Sequence, residues 1–105
     1  MAYKLLMRII STKTLKDFYA QPTYTQAEMV IKTWIATTKA ATWNTPIDVK
    51  SDFGQTDILK SGRAIFDLGG NKYRLVAWIN YNFKTVYIRF IGTHAEYDKI
   101  DPETI

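Results

Sequence analysis

Three runs in the second half of the chain limit its folding choices more than anything else: "RAIFDL" (63–68), "KYRLVAWIN" (72–80) and "TVYIRFI" (85–91). Each is rich in β-branched and aromatic residues, which suit a pleated, half-buried surface. The links between them, "GGN" and "YNFK", are far too short for a crossover helix, so the three strands pair as antiparallel hairpins. Neighbouring side chains on a strand point to opposite faces. Tyr73, Leu75, Ala77 and Ile79 therefore share one face of the central strand, and Lys72, Arg74, Val76, Trp78 and Asn80 share the other. In the last strand, Val86, Ile88 and Phe90 oppose Tyr87, Arg89 and Ile91. Such a sheet needs cover on its apolar face.

The preceding residues supply that cover. "KLLMRII" reads as a short first strand, followed by Ser11, which is suited to cap a helix in "STKTLKDFYA". A second helix is predicted from about Gln26 to Ala41: Thr25 and Glu28 stand in capping-box register, and Ala27, Val30, Ile31, Trp34, Ile35 and Thr38 form one stripe. "TWNTPIDVKSDFGQT" has no sustained period and reads as a connecting loop with room for a short strand or turn. The expectation is an α+β fold, two N-terminal helices packed on one face of a mostly antiparallel sheet, with Arg63, Arg74 and Arg89 on a partly open second face.

At 105 residues the chain is long enough for one domain, 1–105. Without cysteine it can form neither a disulfide framework nor a thiolate metal site, and a cytoplasmic address is the simplest fit. The opening "MAYKLLMRII" holds only Leu5, Leu6 and Met7 between two bases, well below the roughly 7 to 15 apolar residues of a signal core and the roughly 20 of a membrane span. A soluble protein with no membrane partner is expected. The net charge is +4, and it is unevenly placed: Lys60, Arg63, Lys72, Arg74, Lys84, Arg89 and Lys99 face only Asp67, Glu96 and Asp98, whereas the other segments hold equal numbers of bases and acids. An excess of this kind points to a polyanion.

The only histidine, His94, follows the last strand in "FIGTHAEYDKI". A lone histidine is more often structural than catalytic, and arginines on a half-solvated sheet often only keep it soluble. Zinc is a poor fit, since there is no second histidine and no cysteine. A serine triad is no better, because none of Ser11, Ser51 and Ser61 stands in an elbow motif. Nor does "GGNK" cradle a nucleotide phosphate, as no helix follows it. An imidazole close to Tyr97, Lys99 and several arginines does suit acid/base work on a phosphodiester. RNA carries its own nucleophile, the 2′-OH, so cleavage needs a base, cations for the crowded phosphate and an acid for the departing oxygen, with no metal or cofactor. Histidine exchanges protons near neutrality, and arginine forks match phosphate oxygens. Tyr97 is suited to stack or orient the substrate, or to share proton transfer where neighbouring cations lower its pKa.

"GGNKYRLV", "IRFIGTHAEYDKID" and "RAIFDL" resemble the HigB branch of the RelE-type toxins, the ribonuclease halves of bacterial toxin–antitoxin operons. The similarity runs more loosely back to "MRIISTKTL" and leaves Met1 to Leu6 as an extension or an upstream start. It implies a small α/β fold with two helices on an antiparallel sheet, messenger RNA cleavage that stops translation, commonly on the ribosome, and neutralisation by a helix-turn-helix antitoxin of the HigA kind. Arg74 falls where the wider superfamily keeps a phosphate-binding arginine, His94 where other branches often carry arginine, and Tyr97 approximately at a late aromatic. The expected machinery is thus His94, Arg74 and Tyr97 at the chemistry, with Arg63, Lys72, Arg89 and Lys99 binding RNA. The rival expectation is a non-catalytic RNA- or ribosome-binding module. Operator DNA binding is weaker still, for the chain shows no helix-turn-helix pattern.

Overall fold

The computed structural model describes residues 5–105; the predicted first strand begins at Lys4, outside them. Strand β1 (Arg8–Ile10) leads to helix α1 (Thr12–Ala20), a 3-10 helix (Pro22–Ala27), helix α2 (Glu28–Ala40) and helix α3 (Pro46–Asp52). Strands β2 (Thr56–Ile58), β3 (Arg63–Leu68), β4 (Tyr73–Asn80) and β5 (Thr85–Thr93) follow, then the single-turn helix α4 (His94–Tyr97). They form one five-stranded sheet in the order β1-β5-β4-β3-β2, antiparallel except where β1 runs parallel to β5.

The three central strands stand where the period of two places them. The helices do cover one face: Phe18 of α1 meets Tyr73 edge-on at 5.8 Å, and Trp34 of α2 meets Phe66 at 5.3 Å. Leu15, Ile31, Trp34, Phe66, Leu75 and Val86 are fully buried there. Truncating an aromatic at such a position costs about 3 to 5 kcal/mol.

Several local expectations change. Ser11 occupies the α1 cap position, but its hydroxyl meets that of Thr14 at 3.2 Å and caps no backbone N–H. The Thr25–Glu28 capping box does not form. Pro22 instead starts a 3-10 turn that runs into α2, and Glu28 pairs with Lys32 one turn on at 2.8 Å. The segment 42–56, expected as a loop, holds α3. Pro46 supplies a preset φ at its first turn, and the Asp48 carboxylate accepts from the N–H groups of Asn44 and Thr45 at 2.8 and 3.1 Å. Trp43 and Phe53 flank this helix and join the core, Phe53 lying 6.2 Å from Trp34 and 5.3 Å from Phe66.

The second face departs most from simple alternation. Val76 pairs with Phe90 but Ala77 pairs with Ile88, leaving Arg89 as the extra residue of a β-bulge. Before the bulge Val86 and Ile88 point at the helices; beyond it Ile91 does, opposite Leu75, while Phe90 crosses to the other side opposite Val76. The predicted grouping of Phe90 with Val86 and Ile88 is therefore overturned, because one inserted residue reverses parity for the rest of the strand. That second face is also less open than expected. Ile65 and Val76 are buried on it, α4 lies against β4 and β5, and Arg63 holds the main-chain oxygen of Ile105.

Candidate active site

The β3–β4 turn and the end of β5 build the site together. Gly69, Gly70 and Asn71 have φ values of 62°, 62° and 81°; only glycine, and asparagine with its small polar side chain, adopts this readily. The turn places Lys72, exposed, just before β4, and the Lys72 carbonyl accepts the N–H of His94 at 3.2 Å. Two segments more than twenty residues apart in sequence are thereby joined at one corner. On β5, Gly92 stands opposite Arg74, where a Cβ would come within 2.6 Å of the Phe90 ring and 3.1 Å of the Glu96 carboxylate. Thr93 then starts α4 through a reciprocal cap: its hydroxyl accepts from Glu96 N–H at 3.2 Å, and the Glu96 carboxylate accepts from Thr93 N–H at 2.9 Å.

These constraints set Arg74 against Tyr97, and His94 begins the turn that carries Tyr97. His94 is half exposed, with side-chain accessibility of 47%, and its Nδ1 lies 3.3 Å from Asp98 Oδ2. Arg74 is 12% exposed and its guanidinium lies over the Tyr97 ring at 5.7 Å. Its Nη1 sits 2.8 Å from Asp67 Oδ1, an ion pair in contact but without hydrogen-bond alignment. Burial raises the Tyr97 phenol above its ordinary value, and Arg74 offsets this only in part while Asp57, Asp67 and Asp98 add to it. The condition under which Tyr97 would share proton transfer, a phenol acidified by nearby cations, is therefore not met. Tyr97 stays neutral near pH 7 and offers a ring and an O–H donor.

Arg63 and Arg89 lie further along their strands from this corner. Arg63 is at the far end of β3, four residues from Asp67 and so about 13 Å along the strand. Its Nε and Nη2 hold the main-chain oxygen of Ile105. Arg89 projects from the bulge over Tyr87 at 5.9 Å, and Tyr87 stacks on Trp78 at 5.0 Å. Lys99 is exposed just past α4. Asp67, Gln55 and Asn71 were not anticipated. With Gly70 and Arg74 they line an open polar hollow of about 600 Å³. Asp67 is the only acid in "RAIFDL", and strand register puts it directly opposite Arg74; only knowledge of that register reveals it.

A shielded guanidinium and a neutral phenol, beside a turn that begins with an imidazole, suit charge development on an anionic ester. Comparison with known proteins points the same way. A profile of HigB toxins, described as the RelE-like toxic component of a toxin–antitoxin system, matches residues 27–100. The mRNA interferase HigB of Escherichia coli O6:H1 is 34% identical over 64 residues, which are 59% of this chain and 62% of that protein. The mRNA interferase toxin HigB of Escherichia coli K12 is 32% identical over 94 residues, 88% of each chain, and Shigella flexneri has an mRNA interferase HigB of the same similarity and coverage.

Proposed function

The chain belongs to the HigB family of RelE-like toxins, and on that premise we propose that it is an endoribonuclease that cleaves messenger RNA and so inhibits translation, as one half of a toxin–antitoxin pair. The observation that carries the reading is the contact of Arg74 with Tyr97 in the turn that begins at His94, which the main-chain bond from His94 to Lys72 ties to the start of β4. The reaction is attack of the 2′-OH on its own phosphate. His94 exchanges the proton, as base toward the 2′-OH or as acid toward the departing 5′ oxygen. Arg74 stabilises the charge gathering on the phosphate oxygens. Tyr97 fixes the guanidinium beneath its ring and donates a hydrogen bond from a neutral phenol. Lys72, Arg89 and Lys99 guide the RNA strand, while Arg63 contributes less because its fork already holds Ile105. Since RNA provides the nucleophile, the chemistry is metal-independent. The antitoxin is a HigA-like helix-turn-helix protein, the substrate is read on the ribosome, and the site of action is the cytoplasm.

Induced expression with mapping of messenger RNA ends, with and without the antitoxin gene, tests this. New ends carrying cyclic or 3′ phosphate that vanish on co-expression are expected. Intact messenger RNA in arrested cells would refute cleavage and leave a binding toxin. In the purified reaction, cutting should persist in EDTA with the substrate still assembled; loss of cutting that magnesium restores would refute the metal-independent route.

A further inference from the structure

We propose that Asp67 is a positioning residue of the reaction, one that fixes the Arg74 fork for the phosphate and does so at the expense of RNA affinity. The inference rests on the ribonuclease reading above. Asp67 and Arg74 face each other across β3 and β4, and the pair is largely shielded, at 26% and 12% exposure. The Asp67 N–H donates to the Gln55 carbonyl at 3.2 Å, which fixes the acid's backbone in the sheet. Its carboxylate touches Nη1 of Arg74, and the Tyr97 ring covers the same guanidinium. An arginine has five N–H donors in a rigid plane. Engaging one terminal nitrogen with a carboxylate sets the orientation of that plane and leaves the other donors for phosphate oxygens.

The two effects of such an acid have opposite signs. A carboxylate beside the subsite repels an incoming phosphate, so RNA binds less tightly than the arginine alone would allow. Once RNA is bound, a fixed fork keeps the donors where charge develops, and a misplacement of about 1 Å at such a group can cost about 10²-fold in rate. A residue that only stabilised the fold would not divide its effects this way. It would change the amount of folded protein, leaving the affinity and rate of the folded fraction as they are.

The test uses Asp67→Asn, which keeps the shape and removes the charge, and Asp67→Glu, which keeps the charge on a longer arm. Messenger-programmed ribosomes are the substrate, with a 2′-deoxy nucleotide at the mapped cleavage position for binding. Asp67→Asn should bind several-fold more tightly and cleave about 10-fold to 10²-fold more slowly in a single turnover, and Asp67→Glu should recover most of the rate. In an Arg74→Ala background, Asp67→Asn should leave the cleavage rate unchanged, since the acid positions through that arginine, while the gain in affinity from removing its charge remains. Overturning results are unchanged affinity and rate, a loss of both together, or an effect of Asp67→Asn on rate that persists without Arg74. Should Asp67→Asn not fold, the same cycle run with Asp67→Glu decides, and a rate change persisting in Arg74→Ala overturns the proposal. If the wild-type chain binds but never cuts, the ribonuclease reading fails on its own; Asp67 is then judged by binding, where Asp67→Asn no tighter than wild type overturns its role.

Discussion

His94 is held mainly by its backbone, through the bond to Lys72 and the start of α4, while its half-exposed ring touches Asp98. His94→Gln should therefore leave folding and antitoxin binding intact while slowing the single-turnover rate by about 10² to 10⁴. A variant that cuts at the wild-type rate would pass the proton transfer to other groups. Tyr97 gives a prediction of opposite character. Its folded-state pKa is raised above the unfolded value by burial first, so its contribution to stability is complete below the ordinary phenol value of about 10 and is lost as pH rises through the folded value. Tyr97→Phe should flatten the loss of thermal stability above that pH. Part of the loss should remain, because Tyr81 is also raised by burial, with Asp48 adding to it. Equal slopes in the two proteins, measured by thermal melts from pH 9 to 11, would contradict this account of the phenol's surroundings.

Helix α3 depends on its N-terminal cap. The Asn44 and Thr45 N–H groups hold the Asp48 carboxyl below its usual range, so the benefit is present above the ordinary aspartate value of about 4 and is lost as pH falls through the lower folded value. Asp48→Ala should lower Tm at neutral pH and lose that deficit in strong acid, as melts across the acid range would reveal. The local signal for this helix, Thr45-Pro46 followed by Asp48, was present in the sequence. It was obscured because only about two turns follow and one buried residue, Val49, marks its inner face. The three long strands were legible because a period of two persists over many residues. The bulge at Arg89 was not, since one extra residue leaves the run looking continuous while changing which face Phe90 and Ile91 occupy. Of the proposed site, the residue types His94, Arg74 and Tyr97 could be named from the sequence, but not the contact of Arg74 with Tyr97. Asp67 could not be, because strand register, and not spacing along the chain, sets it against Arg74.

Across the whole molecule, the basic excess between residues 60 and 99 is less available than a count suggests. Arg63 holds Ile105, Arg74 pairs with Asp67, and Lys84 donates to the Trp43 carbonyl at 2.7 Å and to Asn44. Lys60, Lys72, Arg89 and Lys99 remain exposed. If these four meet phosphates, the logarithm of RNA affinity should fall against the logarithm of salt with a slope of about −3 for a single strand. Arg74→Ala should weaken cleavage far more than Lys16→Ala, a change on the exposed surface of α1; equal losses would mean a diffuse field with no dedicated phosphate site. The strand order carries a further consequence. The first strand finds its partner only in the last, so β5 must insert between β1 and β4 before the sheet is whole, and His94 and Tyr97 follow β5. During synthesis, then, a growing chain has neither the complete sheet nor the proposed site until β5 and α4 have emerged.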